Sequence, residues 1–127
     1  MKNIIVAIGS NQNAEANMRK AKRMLEQLLE SVTYSEALWT DAIGIQADRF
    51  LNCLAKGGTL LGYDELNKAL KRIERLCGTT TEQKRKGMVA MDLDILLYDN
   101  QPFHADDWER PYIRRLMDDF HSPQTVQ

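Results

Sequence analysis

Two cysteines in 127 residues are too few for a disulfide framework. Cys53 and Cys77 lie far apart, lack metal-ligand spacing and each fall in an apolar stretch, so buried reduced thiols are expected. An excess of either charge is also missing, since 17 Lys plus Arg face 18 Asp plus Glu, for a net charge of −1. Global attraction for nucleic acid or an anionic membrane is thereby excluded, and any polyanion must be met by a local cluster. No apolar run is long enough to span a bilayer, and the run from Asn3 to Ile8 is too short for a signal peptide. Repeats and low-complexity tracts are absent. The expected setting is cytoplasmic, with no nucleic acid and no membrane as partner.

The chain does contain the makings of one ordinary globular domain, with 43% hydrophobic and 28% charged residues. Residues 1–127 are expected to form that single domain, with a core over about 3–100 and an irregular or short-helical segment over 101–127. Asn3 to Gly9 reads as a buried strand ending in a Gly9-Ser10-Asn11 turn. Ala14 to Glu30 repeats Met18, Ala21, Leu25 and Leu28 at helical spacing, with Asn13 as N-cap and Glu15 at the positive end of the dipole. Ser31 to Trp39 is expected as a second strand, 40–49 as a loop, and Phe50 to Lys56 as a third strand closed by Gly57-Gly58. A second amphipathic helix runs from Tyr63 to Cys77, with Gly78 supplying the left-handed residue that ends it. Thr79 to Gly87 is polar and basic, hence a loop. Met91 to Tyr98 is the fourth strand, followed by a turn at Asp99-Asn100. Trp108 to Phe120 fits a short helix whose start Pro111 restricts, and His121 to Gln127 is expected to fray.

The order β-α-β-β-α-β is the ferredoxin-like arrangement, an α+β class in which two helices cover one face of an antiparallel sheet. In the last strand Met91, Leu93, Ile95 and Leu97 should face one way, and Asp92 and Asp94 the other. Residues two apart in a strand have Cα atoms about 6–7 Å apart, so the two carboxylates can converge on one cation or bracket two. An ordinary solvated strand face has the same pattern. Lys84-Arg85-Lys86 precede the pair, and cations beside metal-binding carboxylates are what polyphosphate transfer needs. A solvated basic loop reads the same way.

The chain resembles the 6-hydroxymethyl-7,8-dihydropterin pyrophosphokinase family of folate biosynthesis. The resemblance rests on Ala7-Ile8-Gly9-Ser10-Asn11, Trp39-Thr40 with Gly44, Phe50-Leu51-Asn52, Leu66, Arg72-Ile73-Glu74 with Gly78, and Asp92 through Tyr98. It covers roughly residues 4–100 and weakens beyond them. It implies Mg²⁺-dependent transfer of the β,γ-pyrophosphoryl group of ATP to the hydroxymethyl group of a reduced pterin, with release of AMP. By that resemblance Asp92 and Asp94 bind two Mg²⁺ ions, while Thr40, Ile43, Phe50 and Asn52 hold the pterin. Glu74, Arg85, Ile95 and Tyr112 are the candidates near the nucleotide, and Arg85 and Lys86 are the candidate catalytic cations, as replacement charge where the family's own residues are missing. Where the family pattern has arginine, an aromatic residue, a basic residue and a histidine, this chain has Val89, Lys86, Thr79 and Tyr112. The alternative is a catalytically degenerate homologue that binds a pterin, a nucleotide or a protein partner without turnover.

Overall fold

The computed structural model describes residues 1–42 and 48–121. Their elements are β1 (Lys2–Ser10), α1 (Ala14–Leu28), β2 (Glu30–Tyr34), β3 (Leu38–Thr40), β4 (Phe50–Thr59) and α2 (Tyr63–Leu76). These are followed by α3 (Thr81–Arg85), β5 (Asp92–Tyr98), β6 (Gln101–Pro102), α4 (Ala105–Trp108) and α5 (Pro111–His121). The strands form one antiparallel sheet in the order β2-β4-β1-β5-β6, with β3 continuing along β4 beside β2. The ferredoxin-like expectation holds; β3 and β6 bring the four expected strands to six, and α5 overlaps the helix expected over Trp108 to Phe120 but starts at Pro111.

Alternation along β1 decides the two layers. Ile4, Val6 and Ile8 point to the face covered by α1 and α2, where they pack with Met18, Leu25, Leu66, Leu70, Leu93 and Ile95. Ile5 points to the opposite face and packs with Leu54, Leu96, Ile113, Leu116 and Met117. In the ferredoxin-like arrangement the two helices leave that second face uncovered. Here α5 lies across part of it, because its own apolar stripe has to be buried.

Several local expectations change for physical reasons. β4 does not end at Gly57-Gly58 but runs through the pair to Thr59, in register with Lys2 to Ile4 of β1. A Cβ on Gly57 would lie 3.0 Å from the Glu30 carbonyl oxygen, so glycine here permits close backbone approach rather than a turn. The second strand is broken at Ser35, whose hydroxyl accepts from the Leu54 N–H at 2.8 Å. Asn13 takes the cap position of α1 in a left-handed conformation (φ 48°) and makes no side-chain cap bond. The loop expected at Thr79–Gly87 contains α3, capped by the Thr80 hydroxyl accepting from the Gln83 N–H at 3.1 Å. α2 ends as expected at Gly78 (φ 105°), with the Gly78 N–H donating to Arg75 and the Thr79 N–H to Glu74. In β5 a register shift opposite Ile5 and Val6 turns both Leu96 and Leu97 toward the α5 side. Leu97 therefore leaves the row it was assigned to with Leu93 and Ile95. The expectation for 122–127 lies outside the described residues.

Candidate active site

The uncovered end of the α5 face holds a cavity of about 250 Å³. Its floor is a row across three adjacent strands, because Gly9 of β1 pairs with Asn52 of β4 on one side and Asp92 of β5 on the other. Neighbouring strands lie about 4.8 Å apart, so Asn52 and Asp92 stand roughly 10 Å apart across a residue without a side chain. A Cβ on Gly9 would approach Asn52 Oδ1 to 3.1 Å and Phe50 Cδ2 to 3.9 Å. In the next row Ala7 pairs with Leu54 and Asp94. The cavity floor is thus free of side chain at Gly9, its ends are polar, and Phe50 and the α5 residues Tyr112, Ile113 and Leu116 line its sides.

At the Asn52 end, Nδ2 donates to the Thr40 hydroxyl at 2.7 Å. This bond fixes the amide and leaves Oδ1 over Gly9, without a side-chain donor among the described residues. Thr40, Phe50 and Asn52 of the expected pterin set are therefore together on the cavity wall. Ile43, the fourth member, lies outside the described residues.

At the other end, Asp92 and Asp94 both line the cavity, as the strand alternation required. Lys84 Nζ lies 3.6 Å from Asp92 Oδ1. Lys71 Nζ lies 3.5 Å and His104 Nε2 3.9 Å from Asp94 Oδ1. Burial, then the neighbouring Asp92, pushes the Asp94 carboxyl up, against the opposite pull of Lys71 and His104. Two carboxylates, without a third acidic, histidine or cysteine ligand among the described residues, do not make an all-protein metal cage. They do fit Mg²⁺, a hard cation that commonly binds through one or two carboxylates and completes its shell with phosphate and water oxygens.

The remaining site residues scatter. Tyr112 lines the cavity, and burial followed by Asp107 pushes its phenol up, so it stays a neutral hydroxyl. Glu74 is only 5% exposed and faces β5 from beneath, where its Oε2 accepts from the Leu93 N–H at 2.7 Å. Burial raises its carboxyl, while the Leu93 N–H and Lys71 hold it down. Ile95 is 1% exposed in the core under the helices, on the face away from the cavity. Arg85 and Lys86 are exposed on and just after α3 and do not line the cavity. Successive helical residues diverge by about 100°, so only Lys84 of the basic trio turns toward Asp92.

Arg110 was not singled out in the sequence. It is the one Arg or Lys among the described residues lining the cavity, held at Nε by Asp107 Oδ1 at 3.2 Å. It lies where α4 meets α5, in a segment whose sequence signal is weak. Gly9 was read as the start of a turn, but it lies inside β1, which runs on to Ser10 in register with Leu51 and Asn52 of β4; a glycine inside an apolar strand is a signal for close ligand approach.

The sequence model of the 7,8-dihydro-6-hydroxymethylpterin-pyrophosphokinase family (HPPK) matches residues 5–122. The chain is 33% identical over 121 residues to the folate synthesis bifunctional protein of Arabidopsis thaliana, covering 87% of this chain and 25% of that protein. It is 34% identical over 127 residues to the mitochondrial folate synthesis bifunctional protein of Pisum sativum, covering 91% and 24% respectively. The chain thus spans about a quarter of the length of the curated relatives it matches. No helix among the described residues is long and apolar enough to cross a membrane.

Proposed function

The chain belongs to the 7,8-dihydro-6-hydroxymethylpterin-pyrophosphokinase family, and on that premise we propose that it transfers pyrophosphate from ATP to 6-hydroxymethyl-7,8-dihydropterin in folate biosynthesis. Residues 1–127 act as one pyrophosphokinase domain in this reading, and the cytoplasm is its compartment. The observation that carries it is the row Asn52–Gly9–Asp92, which sets an amide and a carboxylate at opposite ends of a slot. A planar pterin lies over Gly9 beside Phe50, with its amide-like edge on Asn52 Oδ1. Its hydroxymethyl group then points toward Asp92 and Asp94. A cavity of about 250 Å³ is below the range of roughly 300–1,000 Å³ usual for whole ligands, so the adenosine lies outside it and only the phosphates reach the carboxylate end.

Asp92 and Asp94 are the residues that would hold two Mg²⁺ ions, which would supply positive charge against the phosphates facing the incoming hydroxyl. Lys84 flanks the same end and Arg110 lines the cavity, with Arg85 and Lys86 adding positive charge on and just after α3. Glu74 serves the nucleotide side through the strand it holds, Tyr112 stands as a neutral donor at the cavity wall, and Ile95 backs the carboxylate strand from the core. No side chain has to remove a proton fully, because this class of transfer depends mainly on alignment and charge stabilisation.

An assay coupled to AMP release, with ATP, Mg²⁺ and the reduced hydroxymethylpterin, tests the reading. AMP should form only when all three are present, and Asp92→Ala or Asp94→Ala should abolish it while the fold persists. Absence of ATP binding by calorimetry in the unmutated chain overturns the enzyme reading. Pterin binding without turnover selects the degenerate homologue instead.

A further inference from the structure

We propose that Lys71 is a resident cation that competes with divalent metal for Asp94 and so sets the metal affinity of the carboxylate pair. The inference rests on the reading of Asp92 and Asp94 as metal ligands and concerns how tightly this chain's version of that site can bind. Lys71 lies on α2, yet its ammonium reaches around the outer edge of β5. There it donates to Glu74 Oε2 at 2.9 Å and the Leu93 carbonyl at 3.0 Å, with Asp94 Oδ1 at 3.5 Å. An ammonium has three N–H donors, and the three acceptors occupy all of them.

The seat is built rather than incidental. Glu74 Oε2 also accepts from the Leu93 N–H at 2.7 Å, so Glu74 and Lys71 together take both backbone polar groups of the residue between the two aspartates. β6 pairs with β5 only at Leu97 and Tyr98, so along 92–94 this outer edge has no neighbouring strand among the described residues. Lys71 is about half-buried and has two of its three contacts with groups that are not metal ligands. It therefore stays in place when Asp94 turns to another cation.

The consequence is electrostatic. A metal–oxygen bond of about 2.1 Å added to the 3.5 Å contact puts Nζ roughly 5 Å from a cation on Asp94. At that distance one positive charge weakens divalent binding by about tenfold even with water-like screening. Lys84 does the same service for Asp92 at 3.6 Å, though from a more exposed position.

Lys71→Gln isolates the charge, because the amide can still donate to Glu74 and Leu93 while carrying no charge; Lys71→Arg keeps it. Mn²⁺ titration without nucleotide, read by electron paramagnetic resonance, measures the affinity of each variant. Lys71→Gln should bind Mn²⁺ about tenfold more tightly than the unmutated chain, Lys71→Arg should match the unmutated chain, and Asp94→Asn should bind more weakly. A merely structural lysine gives the opposite sign, since loosening β5 weakens binding. Lys71→Gln that binds Mn²⁺ no more tightly, with Asp94→Asn weakened, overturns the inference alone. Asp94→Asn that titrates like the unmutated chain overturns the metal assignment and the inference with it. Circular dichroism confirms that each variant is folded, and if Lys71→Gln is not, the Lys71→Gln/Glu74→Gln pair is compared with Glu74→Gln, against which it should bind Mn²⁺ about tenfold more tightly.

Discussion

Replacing Gly9 with alanine adds one methyl group at the centre of the row that joins Asn52 to Asp92. The added Cβ would sit 3.1 Å from Asn52 Oδ1, while the 2.7 Å bond from Nδ2 to Thr40 resists rotation of that amide. A pterin lying over Gly9 would meet the same methyl in the complex alone, and overpacking there costs about 1–3 kcal/mol, roughly a 5- to 150-fold loss of affinity. The folded chain itself should respond differently. Gly9 lies inside β1 at a position with no positive φ, and glycine in a strand interior is about 0.5–1 kcal/mol less favourable than alanine. Stability should therefore stay within about 1 kcal/mol of the unmutated chain. Calorimetric titration with the reduced pterin, paired with urea unfolding, separates the two quantities. The slot assignment is refuted if Gly9→Ala keeps pterin affinity within a factor of about two, or if affinity falls only in step with stability.

Three further outcomes follow from the same contacts. Asn11 donates to the Gly87 carbonyl at 2.7 Å and accepts from the Val89 N–H at 2.7 Å, so Asn11→Ala should cost about 2–4 kcal/mol in urea unfolding by orphaning both groups; a cost below about 1 kcal/mol contradicts the clamp. Glu74→Ala leaves the Leu93 N–H and the Lys71 ammonium without their buried acceptor and should destabilise by about 3–5 kcal/mol, whereas Asp92→Ala, at a half-exposed position, should stay within about 1 kcal/mol. Burial raises the thiols of Cys53 and Cys77, so above about pH 8.5 the unfolded chain loses protons that the folded chain keeps. Stability should be undiminished by these groups below that pH and fall as pH rises through it, and Cys53→Ala/Cys77→Ala should flatten the decline.

The parts legible in the sequence were those with a period. Ile4, Val6 and Ile8 alternate, Leu66, Leu70 and Ile73 recur at helical spacing, and Gly78 follows the last apolar turn. Asp92 and Asp94 were readable because strand alternation alone places them on one side. What escaped depended on partners distant in sequence. Gly57 and Gly58 look like a stop until β2 and Met1 are seen against them. α3 buries none of its residues, so no apolar period marks it. Arg110 has no local sign of its role, since only the path of α4 and α5 brings it to the cavity. Lys71 resembles any helix-surface charge. One clue was present: Glu74 falls on the apolar stripe four residues after Leu70, and a carboxylate there demands a buried partner.

The side chains that cap Leu93 also bear on how this chain behaves at high concentration. An exposed strand edge is a template for pairing with another molecule, and on the side away from β1 the stretch of β5 between Asp92 and Asp94 has no neighbouring strand among the described residues. Glu74 and Lys71 occupy the two backbone groups that a foreign strand would need there. The cost of losing both should therefore surface as self-association of a still-folded chain, making this corner a guard against edge-to-edge pairing.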